Sequence, residues 1–261
     1  MKIKHINGVV LWSGDAPDIK TALIAATAAK TNLWGANLRG ANLGGANLGG
    51  VDLREANLRG ANFREANFWE ANLGGANLVG ANFRGAYLQG ANLQGANLWG
   101  ANLGEANLGG ANLGGANLRG TNLWGANLQG ANLVGANLWG ANLREANLRG
   151  ANLVEANLVG ADLRGAKYDI TQMLKAPWGA VSPEICAYLM RLDASALPDG
   201  ERLMDAWAAG GPCPLSESNG VDRVALFQQE TKHWNLAKTL PPITLWELWE
   251  RLAAEKDVKI R

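Results

Sequence analysis

Residues 91–110 read ANLQG-ANLWG-ANLGE-ANLGG, and the same five-residue unit runs unbroken over residues 31–165, giving 27 units. The first position is Ala except at Thr31, Val51 and Thr121, and the third is Leu except at Phe63, Phe68 and Phe83. The second is Asn except at Asp52, Tyr87 and Asp162. The fifth is Gly except at Glu55, Glu65, Glu70, Glu105, Glu145 and Glu155, while the fourth varies among Trp, Arg, Gln, Val and Gly.

A helix cannot use this pattern. Five residues at about 100° each carry successive leucines round the whole cylinder, and each glycine adds roughly 1 kcal/mol of helix penalty. A flat strand fails because five is odd against a side-chain period of two, so successive leucines would change faces. A short extended segment followed by a corner resolves both problems. Within Ala-Asn-Leu, Ala and Leu share one side and Asn takes the other. The corner then turns the next segment so that its Ala and Leu face inward again. Glycine in fifth position suits a type II turn, whose second central residue needs positive φ. A β-carbon disfavours that conformation, so the six glutamate corners are expected to adopt another turn.

These units resemble the pentapeptide-repeat family, with consensus A-(D/N)-L-x-x. The resemblance implies a mainly β fold, a right-handed quadrilateral β-helix of four units per coil, here nearly seven coils. At roughly 4.8 Å per rung the tower would be about 30 Å long. Leucines would stack along its axis beside alanines, with Phe63 above or below Phe83, Phe68 on the adjoining face and asparagines pointing out. On that reading Leu98→Ala and Ala96→Leu destabilise, while Asn97→Asp is nearly silent.

Working outward, a solenoid needs its ends covered. Residues 1–30 read as a hairpin–helix cap. Strand-like residues 3–6 and 9–12 flank a two-residue Asn7-Gly8 turn, and Asp18 caps a helix to about Ala29 that buries Ile19, Leu23 and Ala26. Residues 166–261 read as a mostly helical segment, since Trp, Met and Pro appear there and the five-residue rhythm stops at Tyr168. Helices are expected from Ser182-Pro183-Glu184, with Ile185, Leu189 and Leu192 on one face, and from Pro198 to about Ala209. A third should follow the capping box Thr244-Leu245-Trp246-Glu247 and end near Glu255, and a short strand is expected at 224–227.

Lys+Arg number 24 and Asp+Glu 23, so no overall charge recruits nucleic acid or an anionic membrane. Nine arginines face eight acids within residues 31–165. The start lacks the apolar core of a signal peptide, no apolar run approaches the roughly 20 residues that span a bilayer, and two cysteines make no disulfide framework. A cytoplasmic protein is expected. Residues 31–165 contain no His, Cys, Ser or Lys, which argues against catalysis in the tower. Cys186, Cys213 and His233 lack the close pairing of a zinc site, and Ser216 and Ser218 lie in a Gly/Pro-rich stretch without a nucleophile motif. No metal, cofactor or catalytic residue is expected.

The informative positions are the fourth ones, sorted by a twenty-residue step. One face reads Arg39, Arg59, Val79, Trp99, Arg119, Trp139 and Val159, with no acid in any of its units. A second holds Arg64, Arg84, Trp124, Arg144 and Arg164, with Glu65, Glu105, Glu145 and Asp162 against its four arginines. Arg39, Arg59, Trp99, Arg119 and Trp139 are the candidate binding strip, because Trp and Arg are the usual interface anchors; drift at tolerant corner positions is the competing account. The expected function is a non-catalytic scaffold presenting its faces to a protein partner, and self-association is compatible with eleven tryptophans. The alternative is DNA mimicry against gyrase, which the resemblance implies for some members. It requires a strongly negative rod, whereas this tower is near neutral. Nucleic-acid binding along the Arg/Trp face is a third reading.

Overall fold

The computed structural model describes residues 1–168 and 245–260. From Asn37 to Lys167 each second-position residue forms a parallel bridge with the residue twenty further on, from Asn37–Asn57 to Asn147–Lys167. Twenty residues are four units, so each coil has four sides and the chain is a β-helix solenoid. Two inter-coil bonds hold each side. The third-position N–H donates to the second-position carbonyl of the next coil, as from Leu98 to Asn117 at 2.8 Å, and the second-position N–H donates back, as from Asn117 to Ala96 at 2.9 Å. At the corner the fifth-position N–H reaches the fourth-position carbonyl of the next coil, as from Gly100 to Arg119 at 3.0 Å.

The bore is as narrow as the alternation of Leu and Ala requires. Third positions from Leu33 to Leu163 are at most 2 % exposed, and nearly every first position is buried beside them. The rings of Phe63 and Phe83 stack with centroids 4.6 Å apart, and Phe68 meets Phe63 edge-on at 5.0 Å. Thr121 is the one buried polar residue among the described core, and its hydroxyl donates to the Leu98 carbonyl at 2.9 Å.

The glutamate corners overturn the expectation of a separate turn type. All six have φ between 52° and 59°, beside 60° to 69° for the glycines in the same place. Their turns also keep the closing bond, as from Ala66 N–H to the Phe63 carbonyl at 3.0 Å. The left-handed conformation costs a non-glycine residue about 1–2 kcal/mol. A different corner would break inter-coil bonds worth about 1 kcal/mol each and rotate Ala and Leu out of the bore. The coil therefore imposes its turn. Five of the six, Glu155 apart, also lean towards the next coil: a β-carbon on Gly75 would stand 2.3 Å from the Glu55 carboxylate, and one on Gly90 3.3 Å from the Glu70 side chain. No two of these six corner glutamates stand twenty residues apart.

Asparagine does more than point outward. Its Oδ1 accepts the N–H two residues on, as from Trp124 to Asn122 at 3.2 Å, and braces the corner. Many of the amides also form ladders: Asn122 Nδ2 donates to Asn102 at 3.0 Å and Oδ1 accepts from Asn142 at 2.9 Å. An amide has both the donor and the acceptor that such a stack needs, whereas a carboxylate in the same place has acceptors alone.

Both ends enter the tower in the same way. Strands β1 (Lys2–Lys4) and β2 (Val10–Ser13) pair antiparallel. Their loop has three residues rather than two, because His5 and Val9 close it at 2.7 Å around Ile6-Asn7-Gly8, with Gly8 at φ 91°. The hairpin covers the first coil, with Asn37 N–H on the Lys4 carbonyl at 2.7 Å and Ile6 N–H on that of Gly35 at 2.9 Å. Helix α1 (Ile19–Ala28) is capped by Asp18 and buries Ala22, Leu23 and Ala26, with Ile19 at the margin. It ends in a Schellman motif, with Thr31 N–H on Ala26 and Lys30 N–H on Thr27, both at 2.9 Å. Lys30, at φ 52°, ends the helix and takes the fifth-position place before the first unit.

Helix α2 (Leu245–Glu255) repeats the device. Val258 N–H bonds to Ala253 at 2.8 Å, Asp257 N–H to Ala254 at 3.4 Å, and Asp257 has φ 51°. Residues 256–260 then stand where the next coil would. Gly160 N–H donates to the Lys256 carbonyl at 3.2 Å, Leu163 N–H to Lys259 at 2.6 Å, and Lys259 N–H to Ala161 at 2.9 Å. Val258 is buried like a first-position alanine, and Trp249 is fully buried with Nε1 donating to the Tyr168 hydroxyl at 3.0 Å. The helices expected from Ser182 and Pro198, the strand at 224–227 and the Thr244 cap lie outside the described residues.

Three stability comparisons follow from this packing, all readable by chemical denaturation. Leu98→Ala should cost about 2–5 kcal/mol, and Ala96→Leu should also destabilise, by about 1–3 kcal/mol through overpacking. Gly80→Glu should cost about 1–2 kcal/mol, as a bare left-handed penalty. Gly75→Glu should cost roughly 1 kcal/mol more, because it stacks a second carboxylate on Glu55, and adding Glu55→Gly should remove the excess. Asn122→Asp should cost about 1–3 kcal/mol by facing two acceptors at Asn102, whereas Asn97→Asp, which retains its acceptor role towards Trp99 and Asn117, should be nearly silent.

Candidate binding face of the tower

The twenty-residue bridging places Arg39, Arg59, Trp99, Arg119 and Trp139 at successive corners of one side, with Val79 and Val159 completing it. All five are held at the backbone N–H, and four of them at the carbonyl as well. Its N–H is bound by the asparagine two residues earlier, at 3.2 Å for Trp99 and 3.1 Å for Trp139. For all but Arg39 the carbonyl accepts a glycine N–H from the preceding coil, at 2.9 Å for Arg59 and Trp139 and 3.0 Å for Trp99 and Arg119. The side chains are free to project: Trp99 is 54 % and Trp139 44 % exposed. The Arg119 guanidinium lies 4.2 Å from the centroid of the Trp139 ring, a cation–π contact between adjacent rungs.

Within residues 31–165 this is the one side with no acid in any of its units, although among the described residues Arg144 and Arg149 on other sides are also outside the ion pairs. Asp52 pairs with Arg54 at 2.7 Å, Glu65 with Arg64 at 3.1 Å, Glu105 with Arg84 at 2.9 Å and Asp162 with Arg164 at 2.5 Å. The hydrogen bonds from Arg54 and Arg164 hold the Asp52 and Asp162 carboxyls below the ordinary carboxylate range, against the opposing effect of partial burial. Among the described residues Arg39, Arg59 and Arg119 take part in none of these ion pairs.

The other exposed aromatics stand elsewhere. Trp34 stacks on His5 at 5.1 Å at the N-terminal end, and Trp124 lies on the side with the paired arginines. Trp69 and Tyr87, the most exposed pair outside the strip, share a third side, which is not among the candidate faces the sequence singles out. The available signal was Tyr87 itself, the single aromatic in second position. Cys186, Cys213, His233, Ser216 and Ser218 lie outside the described residues. Among the described residues no cluster of His, Cys, Asp and Glu could hold a metal ion, and no helix is long and apolar enough to cross a membrane.

A four-sided β-helix with an outward strip of anchored Arg and Trp defines a repeat solenoid with an accessible lateral surface. The model for pentapeptide repeats matches residues 23–60, 61–100, 100–133 and 131–167 in eight copies, and the chain belongs to that family. No curated protein matches it by sequence. Among solved structures it is similar to HetL of the cyanobacterium Nostoc, a pentapeptide repeat protein involved in heterocyst differentiation regulation. The identity is 37 %, over 56 % of this chain and 76 % of that one, with a TM-score of 0.28. A trypsin-treated variant of QnrB1, a plasmid-mediated fluoroquinolone resistance protein, is 23 % identical over 54 % and 80 %, with a TM-score of 0.44. A pentapeptide repeat protein of the Arabidopsis thaliana thylakoid lumen is 26 % identical over 54 % and 75 %, with a TM-score of 0.21. Superpositions below 0.5 carry no functional argument.

Proposed function

We propose that this protein is a non-catalytic scaffold that engages a protein partner through the side carrying Arg39, Arg59, Trp99, Arg119 and Trp139. The observation that carries the reading is the contact of Arg119 with Trp139 on a side where three arginines have no carboxylate. A rigid backbone adds no ordering cost of its own on binding, and Trp and Arg are the residue types that dominate interface energies. An unanswered row of guanidinium groups suits a partner segment that brings carboxylates, since Arg forms bidentate pairs with them. Mimicry of duplex DNA would need the opposite sign of charge along the rod.

The test is affinity capture on the full-length chain, followed by measured affinity for the partner obtained. Truncation at Gly165 is a poor probe, because it removes Tyr168 and the residues 256–260 that occupy the place of the next coil. Trp99→Ala and Trp139→Ala should each weaken binding by about 1.4 kcal/mol or more, a tenfold change, without lowering the unfolding midpoint appreciably. Replacing Arg39, Arg59 and Arg119 together should weaken binding and flatten its salt dependence. A partner indifferent to all five residues would remove the strip from the proposal, and strong inhibition of gyrase supercoiling would overturn the scaffold reading itself.

A further inference from the structure

A second side of the tower carries an open groove of about 530 Å³, within the roughly 300–1,000 Å³ of small-molecule sites. Its lining includes Trp69, Tyr87, Asn47, Asn67, Gln89 and Glu65. We propose that this groove binds a neutral, polyhydroxylated ring, a pyranose sugar. The site is separate from the Arg/Trp strip and does not depend on it.

The side-chain inventory selects the ligand. Trp69 and Tyr87 are 52 % and 57 % exposed and support no core, yet both are fixed at the backbone. Phe68 N–H donates to the Tyr87 carbonyl at 2.7 Å and Gly50 N–H to that of Trp69 at 2.8 Å. Rigid aromatic rings offer flat apolar area at low entropic cost, and the C–H face of a pyranose matches it. Three amides supply both donors and acceptors, the combination that vicinal hydroxyls require. No Lys or Arg is in the groove lining itself, and the Lys20 ammonium beside Gly45 is already engaged with the Gly44 carbonyl at 2.6 Å, which disfavours an anion. Glu65 is the one charge, and the Arg64 guanidinium already occupies its Oε1 at 3.1 Å, so a cation would have to displace an existing ion pair.

The amide ladder points the same way. Asn67 Nδ2 donates to Asn47 at 3.1 Å, and the Asn67 Oδ1 accepts the Trp69 N–H at 3.0 Å. In the unbroken ladders the next asparagine supplies a second hydrogen to that oxygen, as Asn142 does for Asn122. Here the next rung is Tyr87, bridged to Asn67, and a phenol ring carries no amide donor. At Tyr87 the row exchanges an amide for an aromatic ring, and the Asn67 oxygen, part of the groove lining, accepts only the Trp69 N–H, as the Asn57 and Asn77 oxygens accept only those of Arg59 and Val79 on another side.

Saturation-transfer NMR on the full-length chain tests this, with methyl glycosides of glucose, galactose, mannose and N-acetylglucosamine, and with cellobiose and maltose. At about 10 mM each, at least one sugar should show transfer and titrate with a Kd in the millimolar range or below. Trp69→Ala and Tyr87→Asn should each weaken it about tenfold or more. Tyr87→Asn restores the repeat consensus, so its unfolding midpoint should not fall, and Trp139→Ala should leave the sugar signal unchanged. Tighter retention on gels holding soluble polysaccharide than on free disaccharide would identify a polymer as the source, and parity would identify a free sugar. No transfer from any of these sugars, or transfer indifferent to both groove variants, would overturn the proposal. So would binding of choline in place of sugar, which would make the groove a cation site.

Discussion

Every fifth residue of the tower must turn a corner with positive φ while its N–H reaches the coil above. That double demand organises the rest of the molecule. The turn aims Ala and Leu back into the bore, the N–H joins coil to coil, and the asparagine two residues before each corner residue's neighbour braces the loop from outside. Glycine meets the demand at no steric cost. Six glutamates meet it as well, because refusing would cost the coil its ladder bonds and its core register.

The same constraint explains how the ends are made. A helix that finishes in a Schellman motif leaves its C′ residue left-handed, which is the conformation a fifth position needs. Lys30 at the end of α1 and Asp257 at the end of α2 each serve both structures. At the N-terminal end this hands the chain directly into the first unit. At the C-terminal end it lets residues 256–260 act as a further unit although their sequence, Lys-Asp-Val-Lys-Ile, shares little with Ala-Asn-Leu-x-Gly. Edge groups on one side of the last coil are thereby paired, at Gly160, Ala161 and Leu163.

Asparagine in second position bears on function as well as on fold. A stack of aspartates at roughly 4.8 Å intervals would repel along each side, whereas amides bond to one another. Where aspartate does occur, at Asp52 and Asp162, an arginine two residues later neutralises it. On that near-neutral surface Arg39, Arg59 and Arg119 share the one side with no acid in its units, and Tyr87 departs from a row that is otherwise mostly asparagine.

The repeat period by itself determined short extended segments with corners between them and the inward Ala and Leu. Four units per coil, and with it the fourth-position rows and the stacking of Phe63 with Phe83, came from the resemblance to the pentapeptide-repeat family, because the period does not fix how many units close a turn. The Arg/Trp row was legible for the same reason, once the units were sorted by coil. What only the tertiary structure decided were features in which distant groups outweigh local preference. Glutamate turns left-handed because the neighbouring coil holds its corner, and the hairpin loop gains a residue because His5 also pairs with the first coil. Residues 256–260 enter the tower because the last coil offers unpaired backbone, and the Trp69–Tyr87 groove exists because positions from different coils meet on one side. Sequence pattern records what each unit needs from itself; contacts between coils, which carry no local signature, settle the remainder.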